Sequence, residues 1–228
     1  MRFVLLLALL SSTAYAADGA AILKSLNDDA GWTVVAKDAN GVDVYKKDVP
    51  GAPVPGFKGI KIVDADPDLL FDAILDVRSH VGLSDDIPLK KSVVISKSGN
   101  TIDFWQYLDV PGWTLANDRY WFARMTFNRD VGGVDGHHVQ TWSLIDATQH
   151  PSHLATATAI DEDAVLTPFN YGGWEVEPMP GGKVKLTFRT LSDPGGSLPK
   201  SAQNLATQKT LPDNLLQFEA EAKRRAGK

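Results

Sequence analysis

Leu191-Ser192-Asp193-Pro194-Gly195-Gly196-Ser197-Leu198-Pro199-Lys200 is the stretch that decides the reading of this chain. Asp-Pro starts a turn, Gly-Gly permits positive φ, and Ser197 suits a helix N-cap. Pro199 then falls in a first helical turn, where a missing N–H costs nothing. Downstream, Ser201 to Arg225 reads as a long helix with Ala202, Leu205, Ala206, Leu215, Leu216 and Phe218 as its apolar residues. Pro212 lies inside it and is expected to kink it. Upstream, Val184, Leu186, Phe188 and Thr190 alternate with Lys185, Thr187 and Arg189, the period of a strand. The chain therefore closes on strand, tight turn and long amphipathic helix.

Working back from that ending, the rest reads as sheet with few helices. Asn40-Gly41 between Trp32–Lys37 and Val42–Lys46 is a hairpin signal. Phe57 to Val63 forms a third strand. Asp66-Pro67-Asp68 opens a helix, with Asp66 as cap and Pro67 at the first position. Strands are expected at 92–96, 101–109, 119–127, 137–146, 154–160, 173–177 and 183–191, punctuated by Gly- and Pro-containing turns. Closely spaced strands of this kind form an antiparallel meander, and the fold class is α+β.

Several strands are apolar on both faces. Ile102, Phe104 and Leu108 alternate with Trp105 and Tyr107, and Tyr120 and Phe122 alternate with Trp121, Met125 and Phe127. Either a second layer covers the outer face, or the inner face lines a cavity larger than its side chains fill.

Composition narrows the function. Arg2, the apolar run Phe3 to Leu10 and Ala14-Tyr15-Ala16 make residues 1–16 a signal peptide, leaving 17–228 as one domain of an exported, periplasmic or secreted protein. The formal charge of −5 carries no basic block, which disfavours nucleic acid. Cysteine is absent, so there are no disulfides or thiolate metal sites. His137 and His138 alternate across a strand and cannot share a metal easily, and His150 and His153 flank Pro151 in an expected loop. Asp161-Glu162-Asp163 lacks calcium-loop spacing and reads as a solvated loop. No phosphate loop, dinucleotide fingerprint or G-x-S-x-G motif is present. No metal or cofactor is expected. Arg124 and Arg189 sit in aromatic strands. Either one is buried and needs a partner, Asp103 being the nearest candidate, or it lies on the wet face with its stem packed.

The wording also resembles a family. Asp193-Pro194-Gly195-Gly196-Ser197-Leu198-Pro199-Lys200 is similar to the end of START (StAR-related lipid transfer) domains. So are Trp32 with Gly41-Val42-Asp43-Val44-Tyr45 and Pro50-Gly51, Leu75-Asp76-Val77-Arg78, Asn117-Asp118-Arg119-Tyr120-Trp121-Phe122 and Gly172-Gly173-Trp174-Glu175-Val176. The order holds from Trp32 to Ala222. Departures occur at Gly82-Leu83-Ser84-Asp85, where relatives carry Trp-Asp, and at Leu166, where an arginine is common.

The resemblance implies a helix-grip fold, in which a curved antiparallel sheet wraps a long C-terminal helix over an apolar tunnel. It implies non-catalytic binding and transfer of a lipid or sterol-like molecule by a monomer in transient contact with membranes. Tunnel residues would be Phe104, Tyr120, Phe122, Arg124, Trp142, Phe188, Leu205 and Leu216. The gate would be Trp113, Phe169 and Pro212. A cyclase-like enzyme on the same fold and a lipid sensor acting through a protein partner are the other readings.

Overall fold

The computed structural model describes residues 19–83, 89–110, 116–196 and 200–227, with the side chains of 200–203, 205 and 206 not among them. The expected signal peptide, the Ser197 cap, Pro199, Trp113 and the side chain of Leu205 lie outside the described residues.

Among the described residues, ten strands form one sheet. They are β1 (Thr33–Ala39), β2 (Val42–Lys47), β3 (Gly56–Val63), β4 (Leu89–Ser98), β5 (Thr101–Leu108), β6 (Arg119–Asn128), β7 (His138–Leu144), β8 (Val165–Leu166), β9 (Phe169–Met179) and β10 (Lys183–Asp193). The order is β1-β2-β3-β10-β9-β7-β6-β5-β4, antiparallel throughout, with β8 added in parallel to β6. The helices are α1 (Gly19–Asn27), α2 (Pro67–Leu75), α3 (Pro151–Thr158) and α4 (Lys200–Arg225). This is the expected α+β architecture, a large curved antiparallel sheet with a C-terminal helix.

Local chemistry sets the element ends. Asn40 and Gly41 take positive φ, 55° and 78°, and turn β1 into β2. Asp66 accepts a hydrogen bond from the Leu69 N–H at 3.0 Å, which caps α2 with Pro67 in its first turn. Arg119 fixes the turn between β10 and α4. Its Nε donates to the Pro194 carbonyl at 2.8 Å, its Nη2 to Gly195 at 3.1 Å, and its Nη1 to Asp118 at 3.1 Å and to Asn117.

The inner face of the sheet carries α2 and α4. Leu211, Leu215, Phe218 and Ala222 recur at helical spacing down α4. They pack with Leu70, Phe71, Ala73 and Ile74 of α2 against Val42, Val44, Phe57, Trp174, Val176, Val184, Leu186 and Phe188. The helix continues through Pro212, which is itself buried. The stripe differs from the expected one. Leu215 and Phe218 are members as expected, Leu211 joins them, and Leu216 lies half-buried beside them.

The outer face is covered in two places. Near β9 and β10, α1 seats Ile22 and Leu26 on Val49, Val54, Phe169 and Leu191. Over β5 and β6, the segment 145–164 seats Ala147 and Ala157 on Trp105, Tyr107, Tyr120 and Phe122. The second layer is therefore present, and it is why both faces of these strands are apolar.

That layer also contains the expected strand 154–160, which is helix α3. Pro151 stands in its first turn, and the Thr156 and Thr158 hydroxyls bond back to the Ser152 and Leu154 carbonyls at 2.9 and 3.0 Å. The alternation of Thr with Ala imitates a strand, but each threonine hydroxyl is satisfied within the helix. His150 and His153 therefore flank and enter a helix turn rather than a loop, and His153 Nδ1 accepts from Trp105 Nε1 at 3.1 Å.

Candidate functional site

Register places the inner-face residues of β5, β6, β7, β9 and β10 in rows. Phe104 is opposite Ala123, and Ile102 opposite Met125. Met125 is opposite Trp142, and Phe127 opposite Gln140. Trp142 is opposite Gly172, and Gln140 opposite Trp174. Trp174 in turn faces Phe188. Successive side chains alternate between faces, so Trp121, Ala123, Met125 and Phe127 share the inner face.

The rings here form a continuous surface. Trp142 stacks on Phe188 at 5.9 Å, and Phe188 on Trp174 at 4.2 Å. The Trp174 ring meets Phe218 of α4 edge-on at 5.0 Å. Gly172 makes room for this: a Cβ there would run into the Trp142 indole. Trp142 Nε1 donates to Asn170 Oδ1 at 3.0 Å, which fixes the ring across the glycine. Trp121, Phe127 and Trp142 keep part of their surface open, whereas Phe104, Met125, Trp174 and Phe188 are buried.

Several polar groups lie on this face, His80, Gln106, His138 and Gln140 among them. His80 follows α2; its Nε2 bonds the Ile74 carbonyl at 3.1 Å and its Nδ1 pairs with Gln106 Nε2 at 3.2 Å. The Gln106 amide also reaches Ser92 at 2.9 Å. Burial pushes the His80 imidazole down to about 4, so the ring is neutral at physiological pH. The carbonyl bond puts its proton on Nε2. Gln140 is different. It is fully buried, and neither amide atom has a hydrogen-bond partner among the described residues.

The expected tunnel residues divide between the two faces. Phe104, Trp142 and Phe188 are on the inner face. Tyr120, Phe122 and Arg124 are corrected to the outer face. Tyr120 and Phe122 pack under the segment 145–164. Arg124 lies half-exposed and grips Asp103 through Nε and Nη2, at 2.7 and 2.8 Å. The expected Arg124 partner is thus the observed one, on the wet side of the sheet. A one-residue shift in phase moves a whole strand to the other face, and Trp121, Met125 and Phe127 take the place of Tyr120 and Phe122. Phe169 is also corrected, because it is buried beneath α1 on the outer face, away from α4. Arg189 is buried on that face too, bonded to Glu175 at 3.0 Å. Gln140 and Trp121 were missed. The signal available for Gln140 was its spacing of two from Trp142 in β7.

A large antiparallel sheet gripping a C-terminal helix, with an aromatic floor beneath it, defines the helix-grip class, and the chain has the fold of the StAR-related lipid transfer domains. One similar structure is a STAR-related lipid transfer protein from Xanthomonas axonopodis, with a TM-score of 0.68 and 22% identity over 85% of this chain and 99% of that one. Human StAR-related lipid transfer protein 5 superposes with a TM-score of 0.71 at 18% identity, covering 91% and 98%. The Zhui aromatase/cyclase from a Streptomyces reaches 0.53 at 14% identity, covering 75% and 94%. By sequence, an uncharacterized protein of Pseudomonas aeruginosa is 26% identical over 208 residues, 90% of each chain. No family model matches.

Proposed function

We propose that this protein binds one apolar molecule of lipid or sterol-like class non-covalently between the inner face and α4, and carries it between membranes without chemical change. The supporting observation is the aromatic floor. Trp121, Phe127 and Trp142 stay partly open on a face that α2 and the C-terminal half of α4 otherwise cover. Apolar surface of this kind binds by removal from water, at roughly 25 cal/mol per Å² before the costs of association. The Xanthomonas and human neighbours are lipid transfer proteins by name, which supports the same reading.

The Zhui neighbour keeps an enzyme reading in view. Against it, the inner-face His80 is neutral and held by a backbone carbonyl and an amide, an arrangement that fixes a ring rather than moving protons. We further read the protein as exported, on the strength of its first sixteen residues.

The test is transfer of a fluorescent lipid from donor to acceptor vesicles by the purified protein. Transfer rising in proportion to protein, and reduced in Trp142→Ala that still unfolds cooperatively, supports the carrier. Absence of transfer for phospholipid, sterol and fatty-acid probes alike contradicts it.

A further inference from the structure

Gln140 sits in the middle of an apolar floor. Its neighbours across the ladder are Phe127 and Trp174, and Trp142 lies two residues along the same strand. His138, two residues the other way, is already engaged with Asp68 at 3.1 Å and the Asp130 N–H at 3.3 Å, and its ring lies 4.8 Å from Phe71. Gln140 is fully buried, and both its Nε2 and its Oε1 lack a partner among the described residues. A buried carboxamide offers two donors and an acceptor with two lone pairs. Leaving it unpaired costs stability that a leucine in the same place would not. Such orphans in folded proteins call for a specific explanation.

Position supplies one. Trp142 keeps part of its surface open, and the next inner-face residue along β7, about 7 Å along the strand, is Gln140. Two cations of the inner face are committed elsewhere. Arg119 donates to four backbone carbonyls, and Lys61 pairs with Glu219 at 3.6 Å.

We infer that the Gln140 carboxamide is the internal hydrogen-bonding contact for the polar group of the ligand, and that this group is uncharged: a hydroxyl, carbonyl or ester rather than a carboxylate or phosphate. The inference rests on the carrier reading above and narrows its ligand class. It also makes Gln140 a residue retained against stability, since the amide gains its partner only when the ligand is in place.

The experiment loads the protein from phosphatidylcholine vesicles containing 1-hexadecanol, hexadecane, hexadecanoate, cholesterol and cholestane, and identifies bound molecules by mass spectrometry. For whichever skeleton enters, the alcohol is expected to exceed its hydrocarbon by about tenfold, the contribution of one neutral hydrogen bond. In Gln140→Leu the preference is expected to fall below about twofold, while the melting temperature of the ligand-free protein rises. Gln140→Met provides the same comparison if the leucine variant does not fold. A preference unchanged in both variants, or hexadecanoate favoured over hexadecanol, overturns the assignment and leaves the carrier reading intact. Uptake of none of the five contradicts the carrier reading itself.

Discussion

Gly59 of β3 lies directly beneath Leu211 of α4. A Cβ at residue 59 would come within 2.9 Å of Leu215 Cδ1 and closer still to Leu211. The glycine is the point at which the helix descends onto the sheet. Leu211 and Leu215 are both fully buried, so neither has slack to move aside. Gly59→Ala is expected to destabilise the protein by about 1–3 kcal/mol through overpacking. Urea unfolding checks this: the midpoint falls while the m-value holds.

Arg119 ties the end of β10 to the start of β6 by donating to four backbone carbonyls. Arg119→Met removes these bonds and leaves the Pro194 and Gly195 carbonyls without that donor. The expected cost is about 2 kcal/mol or more. Hydrogen exchange is expected to accelerate first in β10 and the adjoining turn, ahead of β4 and β5.

The Asp103–Arg124 pair predicts a pH signature. The Arg124 hydrogen bonds hold the Asp103 carboxyl below its usual 3.8. A carboxyl depressed in the folded state contributes stability above the unfolded value and loses it as pH falls through the folded one. Arg124→Met is therefore expected to be less stable than the parent by about 1–2 kcal/mol at neutral pH. The gap is expected to narrow below about pH 3.8. A gap that stays constant down to pH 2.5 would mean that the ion pair is not its source.

His80 works in the other window. Burial lowers its folded value to about 4, from 6.5. The unfolded chain takes up a proton near 6.5 and the folded chain resists until about 4, so stability declines between those limits as pH falls. The slope from this one group approaches about 1.4 kcal/mol per pH unit. His80→Gln, which keeps an amide donor for the Ile74 carbonyl, is expected to flatten the difference between pH 7 and pH 4.5. Parallel stability curves for the two proteins would contradict it.

Much of the architecture was legible because its signals are local. Asn40-Gly41, Asp66-Pro67 and Asp193-Pro194-Gly195-Gly196 each specify a turn or cap through the backbone preferences of one or two residues. Strand facing in β6 was not legible. Tyr120 and Phe122 are as apolar as Trp121 and Met125, because one pair is buried by the segment 145–164 and the other lies on the face that carries α2 and α4. Periodicity cannot tell two dry faces apart. Helix α3 was missed for a similar reason, since Thr and Ala alternate in it while tertiary packing of Ala157 against the outer face fixes the helix. Gln140 was passed over because a polar residue in a strand ordinarily marks the wet face. Only its phase with Trp142 reveals that it points inward.

The most direct measurement is native mass spectrometry of the protein purified from its producing cells without detergent, followed by solvent extraction of the same sample. The expected result is one small molecule per chain, apolar and uncharged, released on unfolding and taken up again from vesicles. A chain that is empty as isolated and stays empty after exposure to vesicles would contradict it.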